Sequence, residues 1–322
     1  MSPELFLRDL ERKPEVLGRL ADGLDAGEMS WHVEPTPSSI VLIGMGSSLS
    51  AAQVAAHRLR VAGVMAVAES GAAEATFASD NHGLTVGISA SGGSAETNRL
   101  FAAATNGRRV ALTNTASSPI TGSATQVIEL LAEPEAGGVA CRSYTHTLVA
   151  LLALEHSLAG TCPDLADRIR RSAEATQDLL DRRSDWLDDA VALLNGPDGT
   201  WLLAPVERQS SAMQGALMLR EGPRIAAVGC ETGDWSHIDV YLTKTLDYRA
   251  LVFTGSRWDD TAAEWMTERG STALAVGGEF AGARLAIRYP GDDDPVVALL
   301  TETLVPELVS AALWSTAAAT AS

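Results

Sequence analysis

Short apolar runs alternate with longer mixed segments along most of the chain. In the first half, the runs typical of β-strands are Ile40–Ile43, Val64–Val67, Leu84–Ile88, Val110–Leu112 and Val127–Leu130. The segments between them are rich in alanine and leucine, and two of them, Leu49–Val61 and Ala95–Ala104, predict helices. Strands that alternate with helices of this length are typical of βαβ units around a largely parallel sheet.

The alternation pauses in the middle of the chain and then starts again. Ser143–Leu158 predicts a long apolar helix, and Pro163–Asp188 has apolar positions at helical spacing without Gly/Ser enrichment, which predicts a helical connector. After a turn at residues 195–199, the next strand-like runs are Trp201–Ala204, Ile225–Val228, Leu251–Phe253, Ala273–Val276 and Leu285–Ile287. A last apolar helix is predicted over Thr303–Ala317.

The repeated pattern predicts an α/β protein with two doubly wound, parallel-sheet domains of the flavodoxin-like kind. We expect an N-terminal domain with leading helices at residues 1–160, a helical connector at 161–198, and a C-terminal domain at 199–322. The similar size of the two halves indicates an internal duplication.

Composition and charge narrow the possible partners. The 322 residues are 46% hydrophobic and 20% charged, which is typical of a globular protein. The formal net charge of −17 argues against nucleic acid or an anionic membrane as the main partner, because both require a basic surface. A small anion remains possible, since it responds to local donors.

Other sequence signals predict a cytoplasmic protein. The first residues lack the order of a signal peptide, and the best apolar stretch, Thr145–Leu154, is too short to cross a bilayer. Cys141, Cys162 and Cys230 are scattered without CxxC spacing, so we expect reduced thiols.

The segment Ser89–Ser94 is the strongest candidate for a phosphate-binding loop. It follows a predicted strand and precedes a predicted helix, whose positive dipole end favours an anion. Ser89, Ser91 and Ser94 supply hydroxyls, while Gly92 and its neighbour allow a tight turn. Glu96 would repel a phosphate, so its side chain is expected to point away. The alternative is an ordinary polar loop with Ser94 as the helix N-cap.

A second loop, which contains Gly46, Ser47 and Ser48, also lies between a strand and a helix. It could be part of a dinucleotide fingerprint, with Glu69 as the ribose contact, but Leu49 replaces the third glycine. The two loops carry hydroxyls at the ends of two predicted strands, and this arrangement fits one sugar phosphate better than a dinucleotide. P-loop, HExxH and GxSxG motifs are missing, and the six histidines show no metal-ligand spacing, so we expect no metal or organic cofactor.

Several motifs, in order, resemble the sugar isomerase (SIS) domain family. Ile88–Ser94 resembles its S-x-S-G-E-T phosphate loop, and Gly46–Ser48 its G-T-S loop. Glu135–Tyr144 resembles the segment E-x-G-V-A-S-T-K-x-F, and Gln214–Glu221 the helix E-G-A-L-K-L-K-E. The segment Leu10–Leu17 also resembles the N-terminal helix of these proteins. The resemblance is closest to tandem-SIS proteins such as the isomerase half of glucosamine-6-phosphate synthase and the fructosamine-6-phosphate deglycases.

The resemblance implies an enzyme of sugar-phosphate chemistry. Glu221 would shuttle a proton between sugar carbons, and His237 would assist ring opening or act as a base. A homodimer with a shared active site is also implied, with the histidine coming from the neighbouring subunit. The residues that would bind the substrate and its phosphate are Gly46, Ser47, Ser48, Ser89, Ser91, Gly92, Ser94 and Val139.

Departures from the family pattern leave the reaction open. Gln214 and Met218 replace a glutamate and a lysine on the helix face that also carries Glu221. Loss of the lysine predicts a raised pKa for Glu221. Arg142-Ser143 replaces a Thr-Lys pair, and Ile238-Asp239 follows His237 in place of Gly-Pro. A phosphosugar isomerase or deglycase therefore leads. The alternatives are a non-catalytic sugar-phosphate-binding regulator and a repurposed enzyme acting on an unusual sugar.

Overall fold

The chain forms two compact units that do not follow a simple cut along the sequence. A computed structural model describes residues 1–76, 81–104 and 107–321. The N-terminal unit comprises residues 16–135 and 140–170, and the C-terminal unit comprises residues 1–15, 136–139 and 171–322. The division therefore differs from the expected boundaries at 160 and 198, since the first residues and most of the predicted connector join the second sheet.

The elements up to residue 159 include all five strands of the first sheet. They are α1 Pro3–Glu11, α2 Lys13–Asp25, β1 Ile40–Gly44, α3 Ser47–Val61, β2 Ala66–Ser70, β3 Leu84–Ile88, α4 Ala95–Ala103, β4 Arg108–Thr113, β5 Gln126–Glu129 and α5 Arg142–Ala159. The strands pair in parallel in the order β2-β1-β3-β4-β5. The predicted apolar helix over Ser143–Leu158 is confirmed as α5.

The second sheet repeats this arrangement. The remaining elements are α6 Leu165–Asp181, α7 Leu187–Leu194, β6 Thr200–Ala204, α8 Gln209–Glu221, β7 Ala227–Glu231, α9 Thr232–Trp235, β8 Arg249–Phe253, α10 Asp259–Glu268, β9 Thr272–Val276, β10 Leu285–Ile287, α11 Pro295–Thr301 and α12 Leu304–Ala321. The parallel order is β7-β6-β8-β9-β10. Numbered from its own first strand, each sheet has the order 2-1-3-4-5, so the predicted α/β class with parallel sheets is confirmed.

The order of the strands places two loops side by side in each sheet. In the first sheet β1 lies between β2 and β3, and Ile43 is in register with Gly87, so the segments that follow β1 and β3 begin at neighbouring strand ends. In the second sheet, β6 and β8 are neighbours in the same way. The carboxyl end of a parallel sheet, at the point where the strand order reverses, is where α/β proteins bind ligands.

One expectation about apolar segments is wrong. The stretch Pro295–Thr320, which spans α11 and α12, is long and apolar enough to cross a membrane by length and composition. Its most apolar window is 94% buried inside the fold. Helix α12 packs on α1 and α8 within the C-terminal unit, which is the environment of a core helix.

Candidate functional site

The loop after β3 forms a tight turn that presents backbone N–H groups and hydroxyls. Ser89 is buried, and its N–H donates to the Leu112 carbonyl at 3.0 Å, which extends the strand pairing. The turn closes where the Gly92 N–H donates to the Ser89 carbonyl at 2.9 Å. The Gly93 N–H donates to Ser91 Oγ at 3.2 Å. Helix α4 begins directly after this turn, so its positive end points to the same place.

Ser94 has a structural role in this loop. Its Oγ accepts a hydrogen bond from the Thr97 N–H at 3.3 Å, which confirms the alternative that it is the N-cap of α4. The Ser94 hydroxyl also donates to the Glu96 carboxylate at 3.2 Å. The Glu96 carboxylate therefore lies beside the Ser94 hydroxyl at the start of α4.

Gly92 cannot be replaced without disturbing the loop. Its φ of +64° lies in the left-handed region, and a Cβ there would overlap the Ser118 hydroxyl and lie 3.1 Å from Thr113 Oγ1. The Gly92 carbonyl accepts hydrogen bonds from the Ile120 N–H and from Asn98 Nδ2, both at 3.1 Å. These contacts hold the turn in one conformation.

The loop after β1 supplies a second helix N-terminus at the same sheet edge. Gly46 has a φ of +53° and precedes the first residue of α3. Ser47 and Ser48 lie half-buried in the first turn of α3. Because β1 and β3 are paired, this helix start and the Ser89–Ser94 turn originate at neighbouring strand ends. We name the two loops, Gly44–Ser48 and Ser89–Ser94, the N-terminal nest.

The segment before α5 carries a side chain that caps this helix. The Glu135 carboxylate caps this helix, since it accepts hydrogen bonds from the N–H groups of Cys141 (2.7 Å) and Arg142 (2.6 Å) and from Ser143 Oγ (2.6 Å). Val139 is buried. The motif predicted a substrate contact at Val139 and gave no signal for the capping carboxylate, which is recognisable only once the start of α5 is known.

Glu221 is the last residue of α8 and is half-buried. Burial raises the pKa of its carboxyl group, and the nearby Arg220 cation partly opposes this. The predicted direction of the pKa shift is therefore confirmed, with burial as its main cause. Gln214 and Met218 are both 0% exposed and contact each other at 3.5 Å between Nε2 and Sδ, so these two substituted positions belong to the packed interior.

His237 lies in the turn that follows α9. Its backbone N–H donates to the Asp234 carbonyl at 2.9 Å, and its side chain is exposed. Large apolar side chains lie close by in sequence: Ile238 is 59% exposed and Tyr241 is 63% exposed. The structure thus places Glu221 and His237 in the C-terminal unit, whereas the nest residues belong to the N-terminal unit.

The arrangement of the His, Cys, Asp and Glu side chains in the described residues bears on metal sites and disulfides. Among these residues, no group of three or more His, Cys, Asp or Glu side chains is arranged to hold a metal ion. Cys141, Cys162 and Cys230 are free thiols, as expected, and the first two are buried. Burial raises the pKa of the Cys162 thiol above its ordinary value.

Comparisons with known proteins agree with this fold. Residues 36–157, a segment that contains the whole N-terminal nest, match the SIS domain family. The chain is 24% identical over 246 residues to a glutamine–fructose-6-phosphate aminotransferase of Pyrococcus horikoshii, covering 74% of this chain and 40% of that relative's length. The expected second SIS domain is not matched, although the second sheet has the same strand order.

Two solved structures share the fold over nearly the whole chain. The C-terminal domain of a glucosamine-fructose-6-phosphate aminotransferase from Francisella tularensis has a TM-score of 0.81 at 18% identity, covering 97% of this chain and 96% of that one. A tagatose-6-phosphate ketose/aldose isomerase from Escherichia coli has a TM-score of 0.79 at 15% identity, covering 95% and 92%. At these identities the likeness concerns the fold.

Proposed function

We propose that the protein is a cytoplasmic phosphosugar isomerase or deglycase that acts on an amino- or keto-sugar phosphate. The observation that carries the proposal is the N-terminal nest, in which two helix starts, serine hydroxyls and a glycine-dependent turn lie at neighbouring strand ends, within the segment that matches the SIS domain family. Such a group of donors suits a phosphate. The names of the structural neighbours, which include sugar-phosphate isomerases, support the same substrate class.

In this proposal Glu221 moves the proton and His237 assists ring opening. Proton transfer next to a carbonyl requires a carboxyl group that both accepts and releases a proton. The raised pKa of Glu221 makes it suitable for this role. The exposed His237 side chain is free to reach a sugar hydroxyl. The second sheet, with its repeated strand order, is proposed as a second SIS-type domain.

The experiment that tests the activity is hydrogen exchange in D₂O, followed by NMR. Incubation of the protein with fructose 6-phosphate should introduce deuterium at carbon 1, and with glucose 6-phosphate at carbon 2. Exchange needs only the proton-transfer step, so it reports catalysis even when the natural leaving group is unknown. Binding of either compound without exchange would favour the alternative of a non-catalytic regulator. The buried Met218, which stands at a lysine position of the motif, also favours that alternative.

The pH dependence of this exchange should reflect the raised pKa of Glu221. Since the ionised carboxylate is the base, activity should fall as pH drops through this raised pKa, at a higher pH than for an ordinary glutamate. Arg220→Gln removes the cation that lowers this pKa, so the acid limb of the kcat/KM profile should move further upward. If the acid limb of Arg220→Gln lies at the same pH as that of the native protein, the assignment of this limb to Glu221 is contradicted.

We propose a homodimer whose subunits share the active site. The apolar side chains beside His237, namely Ile238, Tyr241 and the 37% exposed Leu242, form a patch that a second copy would cover. The mass of one chain is 33.7 kDa, and light scattering of the native protein should give twice this value. Tyr241→Asp should shift the population toward monomer, and a monomeric native protein would contradict the proposal.

A further inference from the structure

The C-terminal unit contains a large cavity at the carboxyl end of its own sheet. It has a volume of about 870 Å³ and is lined by the segments that follow β6, β8 and β9, including Arg208, Thr254–Asp259 and Gly277–Glu279. Its place in the second sheet is the one that the N-terminal nest has in the first, at the β6–β8 reversal of strand order. A volume of this size falls within the range of small-molecule sites.

The turn after β8 already holds a negative group of its own. Asp259 Oδ2, in the first residue of α10, accepts hydrogen bonds from the Gly255 N–H at 2.7 Å and the Ser256 N–H at 3.2 Å. In the first sheet the corresponding turn uses neutral oxygens, Ser89 O and Ser91 Oγ, for such bonds. The carboxylate of Asp259 therefore occupies the donors that a phosphate would use in this unit.

The floor of the cavity is polar and buried. Arg208 lines it and donates from Nη1 to Glu302 Oε2 at 2.6 Å and from Nη2 to the Thr254 carbonyl. Glu302 is 0% exposed, and its burial raises the pKa of its carboxyl group to about 7, while the Arg208 cation partly opposes this. The Tyr289 hydroxyl is 3.5 Å from the position that a Cβ would take at Gly277 in the cavity wall.

One buried polar group beside the cavity wall has no hydrogen-bond partner within the described part of the chain. It is the hydroxyl of Tyr289, a residue only 4% exposed. Buried polar atoms are normally hydrogen-bonded, and a hydroxyl-bearing ligand supplies a partner of the required kind.

The walls and rim of the cavity are strongly acidic and carry one aromatic face. Seven carboxylates line it, against the two cations Arg208 and Arg257, and they are Glu207, Glu231, Asp259, Asp260, Glu279, Asp292 and Asp293. Trp258 is 49% exposed, and the Arg257 guanidinium lies 5.5 Å from the centre of its ring. Carboxylates around an aromatic ring attract a positively charged, ring-shaped ligand and repel an anion.

We infer that this cavity binds an amino sugar or a related aminated polyol that has no phosphate, at a site separate from the N-terminal nest. The ammonium group would be held by rim carboxylates such as Asp260 and Asp293, and the ring would lie against Trp258. The hydroxyls would face the buried polar floor. The inference does not depend on the proposed isomerase or deglycase activity, because it involves a different sheet and the opposite charge.

The test is a titration of the full chain by isothermal calorimetry, with protonated glucosamine as the probe. Glucose and N-acetylglucosamine provide the same ring without the positive charge, and inorganic phosphate provides the anion. We expect saturable binding of glucosamine that weakens with added salt, and affinities at least about tenfold lower for the neutral sugars. Saturable binding that is equal for glucose and glucosamine, or no saturable binding of glucosamine, would overturn the inference.

A matched pair of variants locates the binding. Asp260→Asn with Asp293→Asn removes two rim charges, and we expect glucosamine to bind about five- to twentyfold more weakly. Asp188→Asn with Asp189→Asn removes two exposed charges from α7, outside the cavity lining, and should leave the affinity unchanged. Equal effects of the two pairs would overturn the assignment to this cavity.

Binding of fructose 6-phosphate separates this inference from the proposed function. The Asp260/Asp293 variant should bind fructose 6-phosphate like the native protein if the N-terminal nest is its site. If fructose 6-phosphate fails to bind any form while glucosamine binding depends on Asp260 and Asp293, the proposed function fails and the second site stands.

Discussion

Replacing Gly92 with alanine is expected to abolish sugar-phosphate binding and to destabilise the protein. The left-handed backbone costs an alanine about 1–2 kcal/mol, and the overlap of its Cβ with Ser118 adds about 1–3 kcal/mol. The free energy of unfolding from urea titration should therefore fall by about 2–5 kcal/mol. Since the turn must open to relieve the overlap, affinity for fructose 6-phosphate should fall at least about tenfold.

Gly63→Ala is the matched control for this variant. Gly63 has a φ of +85°, and nothing lies within 4 Å of the position of its missing Cβ. It should therefore lose only the backbone contribution of about 1–2 kcal/mol and retain native affinity for fructose 6-phosphate. If Gly92→Ala binds as tightly as Gly63→Ala, the turn after β3 is not the phosphate site.

Replacing Glu221 with glutamine is expected to stop proton transfer while leaving the substrate bound. Glutamine has nearly the same shape but cannot accept the proton, so exchange into fructose 6-phosphate should slow by about 10²–10⁴-fold. Because the phosphate is held by a different part of the chain, the calorimetric affinity should stay within about twofold of native.

Glu268→Gln controls for the loss of a helix-terminal carboxylate. Glu268 ends α10 as Glu221 ends α8, but it is exposed, whereas Glu221 is half-buried. This variant should exchange deuterium at the native rate. If Glu221→Gln exchanges deuterium at the native rate, Glu221 takes no part in the mechanism. If Glu221→Gln no longer binds fructose 6-phosphate, Glu221 has a structural role instead.

The accuracy of the sequence prediction followed the burial of each strand. The inner strands β1, β3, β6 and β9 are buried at every position, so they appear as continuous apolar runs, and their predicted ends lie within one residue of the observed ones. The strands β2 and β7 are partly exposed, and both begin two residues later and end three residues later than predicted. Their polar ends, such as Glu69-Ser70 and Cys230-Glu231, carry no strand signal.

The candidate site was predictable only in part. The order of strand, Ser/Gly turn and helix predicts a nest because it depends on neighbours in the chain. Long-range contacts carry no such signal: the close approach of Ser118 to Gly92 and the burial of Met218 depend on how distant segments pack. The same limit applies to Asp259, since a carboxylate in the first turn of a helix does not reveal which N–H groups it occupies.

The most direct test of the central claim is a pair of calorimetric titrations, one with fructose 6-phosphate and one with fructose. If the paired loops after β1 and β3 form a phosphate site, the native protein will bind only the phosphorylated sugar, and Gly92→Ala will lose that binding. Equal affinity for the two sugars, or undiminished binding of fructose 6-phosphate by Gly92→Ala, would contradict the claim.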